Sequence, residues 1–361
     1  MSLIPEKMKA LVVYAPGDYR LEMVDTPRAK GKDIIVKVEA AGVCAGDVKT
    51  FGGAPSIWGS DGSPPYIKVP VIPGHEFCGF VAEVGPEQKE FKVGDHVVSE
   101  QIVPCWECKF CKSGRYWMCQ KHDIYGYQTN VNGAMAEYMR FPREALTYKI
   151  PQDMPLEQAI LVEPFSCSKH TVDRAQITNE DFVVLAGAGT LGLGMVGAAR
   201  KKNPDKLVVL DCNDTRLQKA KEFGADIVMN PSKENVTEKV MEMTDGYGCD
   251  IYIEATGHPN GVLQGLEMIR KLGRFVEFSV FNELTTADWS IIGDRKELDV
   301  LGSHLGPYCY EPVIKWMADG SLPTDGVVTH KFSLDDWKTA FEYTKTGKDN
   351  ALKVVIIPGM K

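Results

Sequence analysis

The pattern of apolar and polar residues changes near residue 160 of the chain. Before that point, short runs of alternating or branched apolar residues recur between clusters of Gly and Pro, as at residues 9–14, 33–39 and 95–98. Short strands separated by such clusters are typical of barrel-like β-domains. We therefore expect a β-rich first domain over residues 1–160.

From residue 161 onward, compact apolar strands alternate with segments long enough to be helices. The strands are predicted at residues 182–186, 206–211, 225–229, 250–254 and 273–278. Helix-length segments such as residues 214–223 lie between them. Strands that alternate with helices favour a parallel, doubly wound sheet. We expect this second domain to cover residues 161–300.

The last part of the chain, residues 301–361, loses the regular alternation. Residues 310–319 and 334–343 have the periodicity of amphipathic helices, and residues 352–357 form a last apolar strand. We expect this segment to return to the first domain.

Composition and charge narrow the class of partner. The net charge of −8 over 361 residues argues against nucleic acid or an anionic membrane surface, since both favour a basic face. Residues 182–199 carry no charge and approach the roughly 18 residues of a spanning helix. Five glycines break that stretch, so we expect no membrane span. Ten cysteines behind a polar N-terminus indicate a reducing cytoplasm. A small-molecule enzyme is expected.

Four closely spaced cysteines predict a metal site. Such spacings let the thiolates converge on one tetrahedral ion, and an all-sulfur shell suits a structural Zn²⁺ without an open position. Disulfides are the rival interpretation, but two-residue spacings strain a bridge and a reducing compartment disfavours it. Buried free thiols are the third interpretation. The residues are Cys105, Cys108, Cys111 and Cys119.

A glycine-rich segment follows the predicted strand at 182–186 and opens a helix. Glycines there allow a tight turn and a close approach of a pyrophosphate to backbone N–H groups. The next strand ends in Asp211, at about the 20-residue distance where a carboxylate meets the adenosine ribose. Asp211 favours NAD over NADP, although Arg216 could meet a 2′-phosphate, stack on adenine or lie in solvent. A flexible loop without a ligand is the alternative. The segment contains Gly187, Gly189, Thr190, Leu191 and Gly192.

A second set of possible metal ligands lies earlier, at Cys44 and the pair His75 and Glu76. Thiolate, imidazole and carboxylate leave a fourth position on Zn²⁺ for water or a substrate oxygen. Such an open site can polarise a carbonyl or hold an alkoxide. Taken singly, each residue is more often an ordinary core or hydrogen-bonded residue. Together with the other two motifs, they favour a catalytic metal.

These motifs together resemble the zinc-containing medium-chain dehydrogenases over nearly the whole chain. The resemblance implies an α/β protein with a β-domain: a GroES-like β-barrel catalytic domain with a zinc lobe, and a doubly wound Rossmann domain for NAD. The acid after Gly-His and the Leu-x-Glu-Pro motif are more similar to the polyol (sorbitol-type) and threonine dehydrogenases than to the ethanol enzymes. The matching positions are Gly74, His75, Glu76, Gly79, Gly85, and residues 93–97, 161–165 and 254–257.

The same resemblance implies that Glu163 lies against the catalytic zinc or its water. We expect Glu76 and Glu163 to exchange roles as ligand and neighbour, and Asp47 to orient His75. Where the family often has a Ser or Thr that starts a proton relay, this chain has Gly46. The relay would then use water, Glu163 or Lys49, although Lys49 as a solvated surface lysine remains the simpler interpretation.

The predicted function is NAD-linked, zinc-dependent oxidation of a secondary alcohol of a small polyol to a ketose, of the erythritol, threitol, sorbitol or xylitol type. We expect two zinc ions per chain, a loop over residues 52–66 that roofs the pocket, and substrate contacts from Tyr125 and Tyr127. The resemblance implies a homotetramer or homodimer. The alternatives are a threonine or butanediol-type dehydrogenase, a zinc-free quinone or enoyl reductase, and a non-catalytic protein that binds NAD and zinc.

Overall fold

The structure is a computed structural model that describes residues 4–60, 62–128, 130–281 and 283–360. Asp61, within the loop predicted to roof a pocket, lies outside the described residues. The chain divides into two compact units. The first comprises Met1–Glu163, Tyr310–Ala318 and Thr324–Lys361, and the second Pro164–Cys309 and Asp319–Pro323.

The strands are β1 (Lys7–Ala15), β2 (Asp18–Asp25), β3 (Ile34–Val43), β4 (Glu76–Val84), β5 (His96–Ser99), β6 (Ile102–Val103), β7 (Asp123–Ile124), β8 (Tyr138–Phe141), β9 (Thr147–Lys149), β10 (Phe182–Ala186), β11 (Lys206–Leu210), β12 (Ile227–Met229), β13 (Cys249–Glu254), β14 (Ile269–Glu277), β15 (Asp299–Gly302), β16 (Val328–Ser333) and β17 (Lys353–Ile357).

The α-helices are α1 (Ala45–Phe51), α2 (Pro55–Trp58), α3 (Lys109–Lys112), α4 (Leu156–Ala159), α5 (Val162–Ala175), α6 (Thr190–Arg200), α7 (Asp214–Glu222), α8 (Val236–Met243), α9 (Pro259–Met268), α10 (Tyr310–Ala318) and α11 (Trp337–Thr346). Short 3₁₀ turns cover Tyr116–Met118, Trp289–Ile291 and Lys348–Asn350.

The first unit is built on a sheet with the strand order β16-β17-β3-β4-β5-β9, and β8 also pairs with β3. Strand β3 is central: it runs antiparallel to both β4 and β17. The strands predicted at 9–14, 33–39, 95–98 and 352–357 are confirmed, with ends that differ by a few residues. The last strand, β17, therefore lies beside the strand that leads into Cys44.

The second unit contains a parallel sheet with the order β12-β11-β10-β13-β14-β15. The central strand β10 is apolar throughout, β11 is apolar after its first residue, and Val183, Val184 and Val208 are fully buried. A strand covered on both faces has no polar side to present, which explains the continuous apolar runs of the sequence. The predicted doubly wound sheet is confirmed.

Two details of the second half differ from the expectation. Strand β15 was not predicted, because Asp299–Gly302 is short and mostly exposed at the edge of the sheet. Helix α11 begins at Trp337 rather than at residue 334. The Ser333 hydroxyl accepts the Asp336 N–H at 3.3 Å, so residues 334–336 form the turn that precedes the helix.

The uncharged stretch at 182–199 becomes strand β10, a turn and all of helix α6 except its last residue. Gly187 has φ +106°, a conformation that L side chains avoid, and a Cβ there would lie 2.6 Å from the Ala255 carbonyl oxygen. The turn therefore requires glycine. Among the described residues, no helix is long and apolar enough to cross a membrane.

Candidate metal and cofactor sites

The four-cysteine lobe brings its sulfurs together. The Sγ atoms of Cys105, Cys108, Cys111 and Cys119 all lie within 4.8 Å of one another. Cys108 precedes the short helix α3, and Cys119 follows the 3₁₀ turn Tyr116–Met118. Two tight turns thus bring the thiols to one point, as the spacing predicted. The ten cysteines, all of them described, are free thiols, so the disulfide interpretation is wrong.

Backbone amides point at these sulfurs. Cys105 N–H donates to the Cys119 sulfur at 3.3 Å, and Cys108 N–H donates to the Cys105 sulfur at 3.4 Å. The Gln120 N–H, at 3.4 Å from the Cys108 sulfur, lowers the pKa of that thiol. Such donors stabilise thiolates, the form that binds metal. The donor set therefore fits a tetrahedral Zn²⁺ with all four positions filled.

The second donor set is assembled at the sheet of the first unit. Cys44 follows strand β3 and precedes helix α1. Glu76 is the first residue of strand β4, and His75 directly precedes it. Their ligand atoms lie within 4.8 Å of one another. The register explains the proximity, because Gly42 of β3 pairs directly with Glu76 of β4. One thiol, one imidazole and one carboxylate fit a Zn²⁺ that keeps an open position.

Glu76 has a partner that sequence reasoning missed. The Nζ of Lys353 lies 2.5 Å from its Oε2, and both side chains are about 5% exposed. Burial lowers the pKa of Lys353, but Glu76 and Cys44 raise it by more, so the ammonium form is kept. A Cβ at residue 42 would overlap the Glu76 carboxylate, so Gly42 makes the room that this pair needs. A single Lys in an otherwise apolar strand was the available signal.

Asp47 is buried beside the same donors. Its Oδ2 accepts the Cys44 N–H at 2.9 Å, which fixes the start of helix α1. Its Oδ1 lies 3.7 Å from the Nδ1 of His75, longer than a hydrogen bond, and that ring nitrogen has no partner among the described residues. Burial lowers the pKa of His75. Asp47 and Cys44 raise it by more, and Glu163 adds to that rise.

Glu163 lies outside the group of three donors. It is the second residue of helix α5 and is buried, and its Oε1 accepts a hydrogen bond from the Gln101 amide. The Tyr310 hydroxyl in turn donates to the Gln101 Oε1 at 3.1 Å. A neutral amide thus orients Glu163, whereas an ammonium group pairs with Glu76. Sequence reasoning did not find Gln101 or Tyr310.

Lys49 lies on helix α1 and is partly buried. Burial lowers its pKa, and the nearby Cys44 thiol acts in the opposite direction. It is therefore not a fully solvated surface lysine. Its role in proton transfer stays a prediction.

A third group of possible ligands lies elsewhere in the first unit. The Glu39 Oε2 lies 3.0 Å from the His96 Nε2 and accepts from the Cys78 thiol at 3.6 Å. The other ring nitrogen of His96 lies 3.2 Å from the Pro151 carbonyl oxygen. These contacts form a hydrogen-bonded triad that needs no metal to account for it.

The glycine-rich segment lies between β10 and α6, as predicted. Gly189 precedes the helix, which begins at Thr190 and Leu191. Apart from its neighbours in the chain, no heavy atom of the described residues lies within 4 Å of a Cβ placed on Gly189. A Cβ placed on Gly192 would overlap the Gly187 carbonyl oxygen. The segment therefore has an open face at the helix N-terminus and a packed face towards the strand. This geometry can accept a pyrophosphate at the helix N-terminus.

Asp211 is hydrogen-bonded both to the glycine-rich segment and to the residue that precedes helix α7. Its Oδ2 accepts the Ala188 N–H at 2.8 Å, and its Oδ1 accepts the Asn213 N–H at 2.8 Å. The carboxylate is thus fixed between the glycine-rich turn and helix α7. Arg216 lies on α7, where its backbone N–H donates to the Asn213 side chain at 3.2 Å.

Two known domain families match the chain. Residues 30–152 match the alcohol dehydrogenase GroES-like domain, and residues 190–319 match the zinc-binding dehydrogenase domain. The chain is 49% identical to an erythritol/L-threitol dehydrogenase of Mycolicibacterium smegmatis over 358 residues, which covers 98% of this chain and 99% of the relative. The chain belongs to the zinc-dependent medium-chain alcohol dehydrogenases.

Other members of this family are similar to this chain along almost their whole length. An L-threonine 3-dehydrogenase of Pyrococcus horikoshii is 34% identical, with 95% of this chain and 97% of the relative covered. A putative zinc-binding dehydrogenase from Sinorhizobium meliloti 1021 bound to NADP superposes with a TM-score of 0.88 at 27% identity, covering 98% of this chain and all of that one. The predicted family and the predicted GroES-like and Rossmann fold class are confirmed.

Glu100 is a buried carboxylate that neither metal set uses. Its Oε1 accepts from the Tyr116 hydroxyl at 2.7 Å and from the Tyr148 hydroxyl at 2.9 Å, while its Oε2 has no partner among the described residues. Burial raises the pKa of Glu100 to about 7, although the two tyrosines act in the opposite direction. The Glu100 carboxylate therefore links Tyr116 of the cysteine lobe to Tyr148 of strand β9.

The raised pKa of Glu100 predicts a pH-dependent stability of the dehydrogenase. The folded state binds the proton more tightly than the unfolded chain, so stability is lost as pH rises from about 4.5 to about 7. Glu100→Gln should therefore be more stable than the unmodified protein at pH 8, by about 2–3 kcal/mol, and equal to it below about pH 4.5. Denaturant unfolding across this range measures the difference. Glu87→Gln removes an exposed carboxylate, and its stability should differ from that of the unmodified protein by the same amount at every pH. If the free energy of unfolding changed with pH in the same way in all three proteins, the raised pKa of Glu100 would be contradicted.

Proposed function

We propose that this dehydrogenase oxidises a secondary alcohol of a small polyol, a tetritol such as erythritol or threitol, to the ketose with NAD. The observation that carries the proposal is the donor set Cys44, His75 and Glu76 with its buried Lys353, in a chain 49% identical to an erythritol/L-threitol dehydrogenase. An open metal position suits an alcohol oxygen. Sorbitol and xylitol are longer substrates of the same type.

Two zinc ions per chain are proposed, one for each of the two donor sets. Cys44, His75 and Glu76 would hold the catalytic ion, with Glu163 beside it, and the four cysteines of the lobe would hold the structural one. A catalytic zinc supplies Lewis-acid stabilisation of the charge that develops on the alcohol oxygen. The protein residues hold these ligands: Lys353 fixes Glu76, and Asp47 fixes the backbone at Cys44.

The proton of the alcohol needs an acceptor within the chain. Glu163 is favoured, because its charge acts on His75 of the donor set and because a carboxylate is a base at neutral pH. Lys49 is the second candidate, since burial lowers its pKa. Glu76 is less suited, because its carboxylate is occupied by Lys353.

NAD is the proposed hydride acceptor. The open face at Gly189 would receive the pyrophosphate, next to Gly187, Thr190, Leu191 and Gly192. Asp211 would accept hydrogen bonds from the ribose hydroxyls, and its charge would repel a 2′-phosphate. Arg216 would then contact adenine or solvent rather than a phosphate.

An assembly of two or four chains in the cytoplasm is proposed on the family resemblance. The second unit exposes large apolar side chains on its edge strand β15 and in the segment between β14 and β15, which supports pairing through that unit. They are Val280 at 64%, Leu284 at 98%, Trp289 at 77% and Val300 at 47% exposure. Light scattering of the purified protein gives the mass, and a monomer would refute the pairing.

A substrate screen tests the proposed function. The purified protein is assayed with NAD and with NADP against erythritol, both threitols, sorbitol, xylitol, 2,3-butanediol and L-threonine. We expect the highest kcat/KM with a tetritol, and a preference for NAD of roughly 10²-fold. A higher kcat/KM with L-threonine or butanediol would show that this compound, and not a tetritol, is the preferred substrate. No turnover with any of these compounds would favour the non-catalytic alternative.

Matched variants separate the role of Asp211 from general charge in the same screen. Asp211→Ser should narrow the gap between NAD and NADP, because it removes the repulsion of the 2′-phosphate. Asp214→Ser removes a neighbouring exposed carboxylate and should leave the gap unchanged. Equal activity of the unmodified enzyme with both cofactors would show that Asp211 does not decide the preference.

Zinc content tests the two-site proposal. Elemental analysis of protein prepared without chelator should give close to two zinc ions per chain, one for each donor set. Cys108→Ser should lose folding stability, because a structural metal contributes folding free energy. Cys44→Ser should keep its fold, lose one zinc ion and lose turnover. Cys167→Ala, at a buried cysteine outside the donor groups, should keep both ions. A stable Cys108→Ser variant with full zinc would refute the structural site.

A further inference from the structure

The absence of a side chain at Gly46 leaves space directly beside the catalytic donor set. A Cβ placed on Gly46 would lie 3.7 Å from the Cys44 Sγ and 3.8 Å from the His75 Cε1. The nearest heavy atom to that point is the hydroxyl oxygen of Tyr127, at 3.2 Å. A phenol hydroxyl therefore lies where the side chain of residue 46 would otherwise extend.

The turn that carries Tyr127 is fixed against the segment that carries His75. Gly126 has φ +84°, and a Cβ there would lie 2.8 Å from the Gly74 backbone nitrogen. The Tyr127 carbonyl accepts the Lys68 N–H at 2.9 Å. The Tyr127 ring lies 5.8 Å from the His75 ring, measured between centroids. Backbone packing thus places the Tyr127 hydroxyl relative to the metal ligands.

The chemistry of this hydroxyl suits a hydrogen-bond donor. Tyr127 is buried, and burial raises its pKa well above the ordinary value, so the group stays un-ionised. Burial is the main cause of that rise, and the neighbouring Thr50 acts in the opposite direction. The Thr50 hydroxyl donates to the Gly46 carbonyl at 2.8 Å. The Thr50 hydrogen is thus committed to Gly46, whereas the phenol O–H of Tyr127 can turn towards a bound oxygen.

We propose that Tyr127 is a catalytic residue: its hydroxyl donates a hydrogen bond to the reacting oxygen of the substrate alcohol, in place of a side chain at residue 46. This inference rests on the proposed oxidation of an alcohol at the donor set of Cys44, His75 and Glu76. The oxygen gains negative charge when its proton leaves, and it loses that charge again as hydride passes from the neighbouring carbon to NAD. A fixed donor therefore stabilises the alkoxide-like transition state more than the neutral bound alcohol. Tyr127 keeps its own proton throughout and is distinct from the base that receives the alcohol proton.

The test uses Tyr127→Phe, which keeps the ring and removes only the hydroxyl. With the best substrate of the unmodified enzyme, kcat should fall by roughly 10²-fold, as for the loss of one transition-state donor. Zinc content by elemental analysis and the dissociation constant of NADH by fluorescence titration should not change. Tyr14→Phe, which removes a half-buried hydroxyl that donates to Glu22 of strand β2 at 3.0 Å, should keep full activity.

Rescue distinguishes a hydrogen bond from packing. In the Tyr127→Phe background the phenol oxygen no longer crowds a Cβ at residue 46, so Gly46→Ser can restore a hydroxyl at that place. We expect the kcat of the double variant to be about tenfold higher than that of Tyr127→Phe alone. Gly46→Ala in the same background adds the same Cβ without a hydroxyl and should recover nothing.

Three results would overturn the inference: Tyr127→Phe with kcat within about twofold of the unmodified enzyme, a loss of zinc in that variant, or equal rescue by Ala and Ser. Failure of the proposed function looks different. If the unmodified protein oxidises another alcohol but no tetritol, the substrate assignment is wrong and the comparison proceeds with that alcohol. If it oxidises none, the proposed function fails and this inference fails with it.

Discussion

The first unit depends on one buried ion pair, between Glu76 of β4 and Lys353 of β17. Two charged groups at about 5% exposure lose most of their hydration, and each compensates the other only while both are in place. The strand order sets the geometry, because β3 separates β17 from β4 and carries glycine at residue 42, the point where the pair passes across it. A carboxylate so fixed is available as a metal ligand at the end of the strand.

This pair also changes the charge balance expected at the catalytic site. Zn²⁺ with one thiolate and one carboxylate is neutral, and a second carboxylate would make the site negative. Lys353 supplies a buried positive charge that offsets the second carboxylate, Glu163. The two acids are not equivalent, however: Glu76 is paired with an ammonium group, and Glu163 with the neutral amide of Gln101. An exchange of their roles would have to break the ion pair of Glu76 with Lys353.

The sequence predicts motifs whose residues lie close together in the chain. It does not predict contacts between distant residues that form only when the strands pair. The cysteine lobe and the glycine-rich turn are each contained within about 15 residues, so spacing and turn chemistry were enough to identify them. Lys353, Gln101 and Tyr310 reach their partners only through strand pairing and chain return, and no spacing rule relates Lys353 to Glu76, 277 positions earlier. Tyr127 was identified as a possible substrate contact, but its place beside Gly46 follows from the packing of Gly126 on Gly74.

The most direct test of this account replaces Lys353. Lys353→Met leaves a buried carboxylate without its partner, and we expect a loss of about 3–5 kcal/mol in the free energy of unfolding together with the loss of one zinc ion per chain. Lys353→Arg keeps the charge and should retain more of both. If Lys353→Met does not fold, the variant Glu76→Gln with Lys353→Met removes both charges and should recover stability without recovering the zinc. A Lys353→Met protein with unchanged stability and a full zinc content would contradict the account.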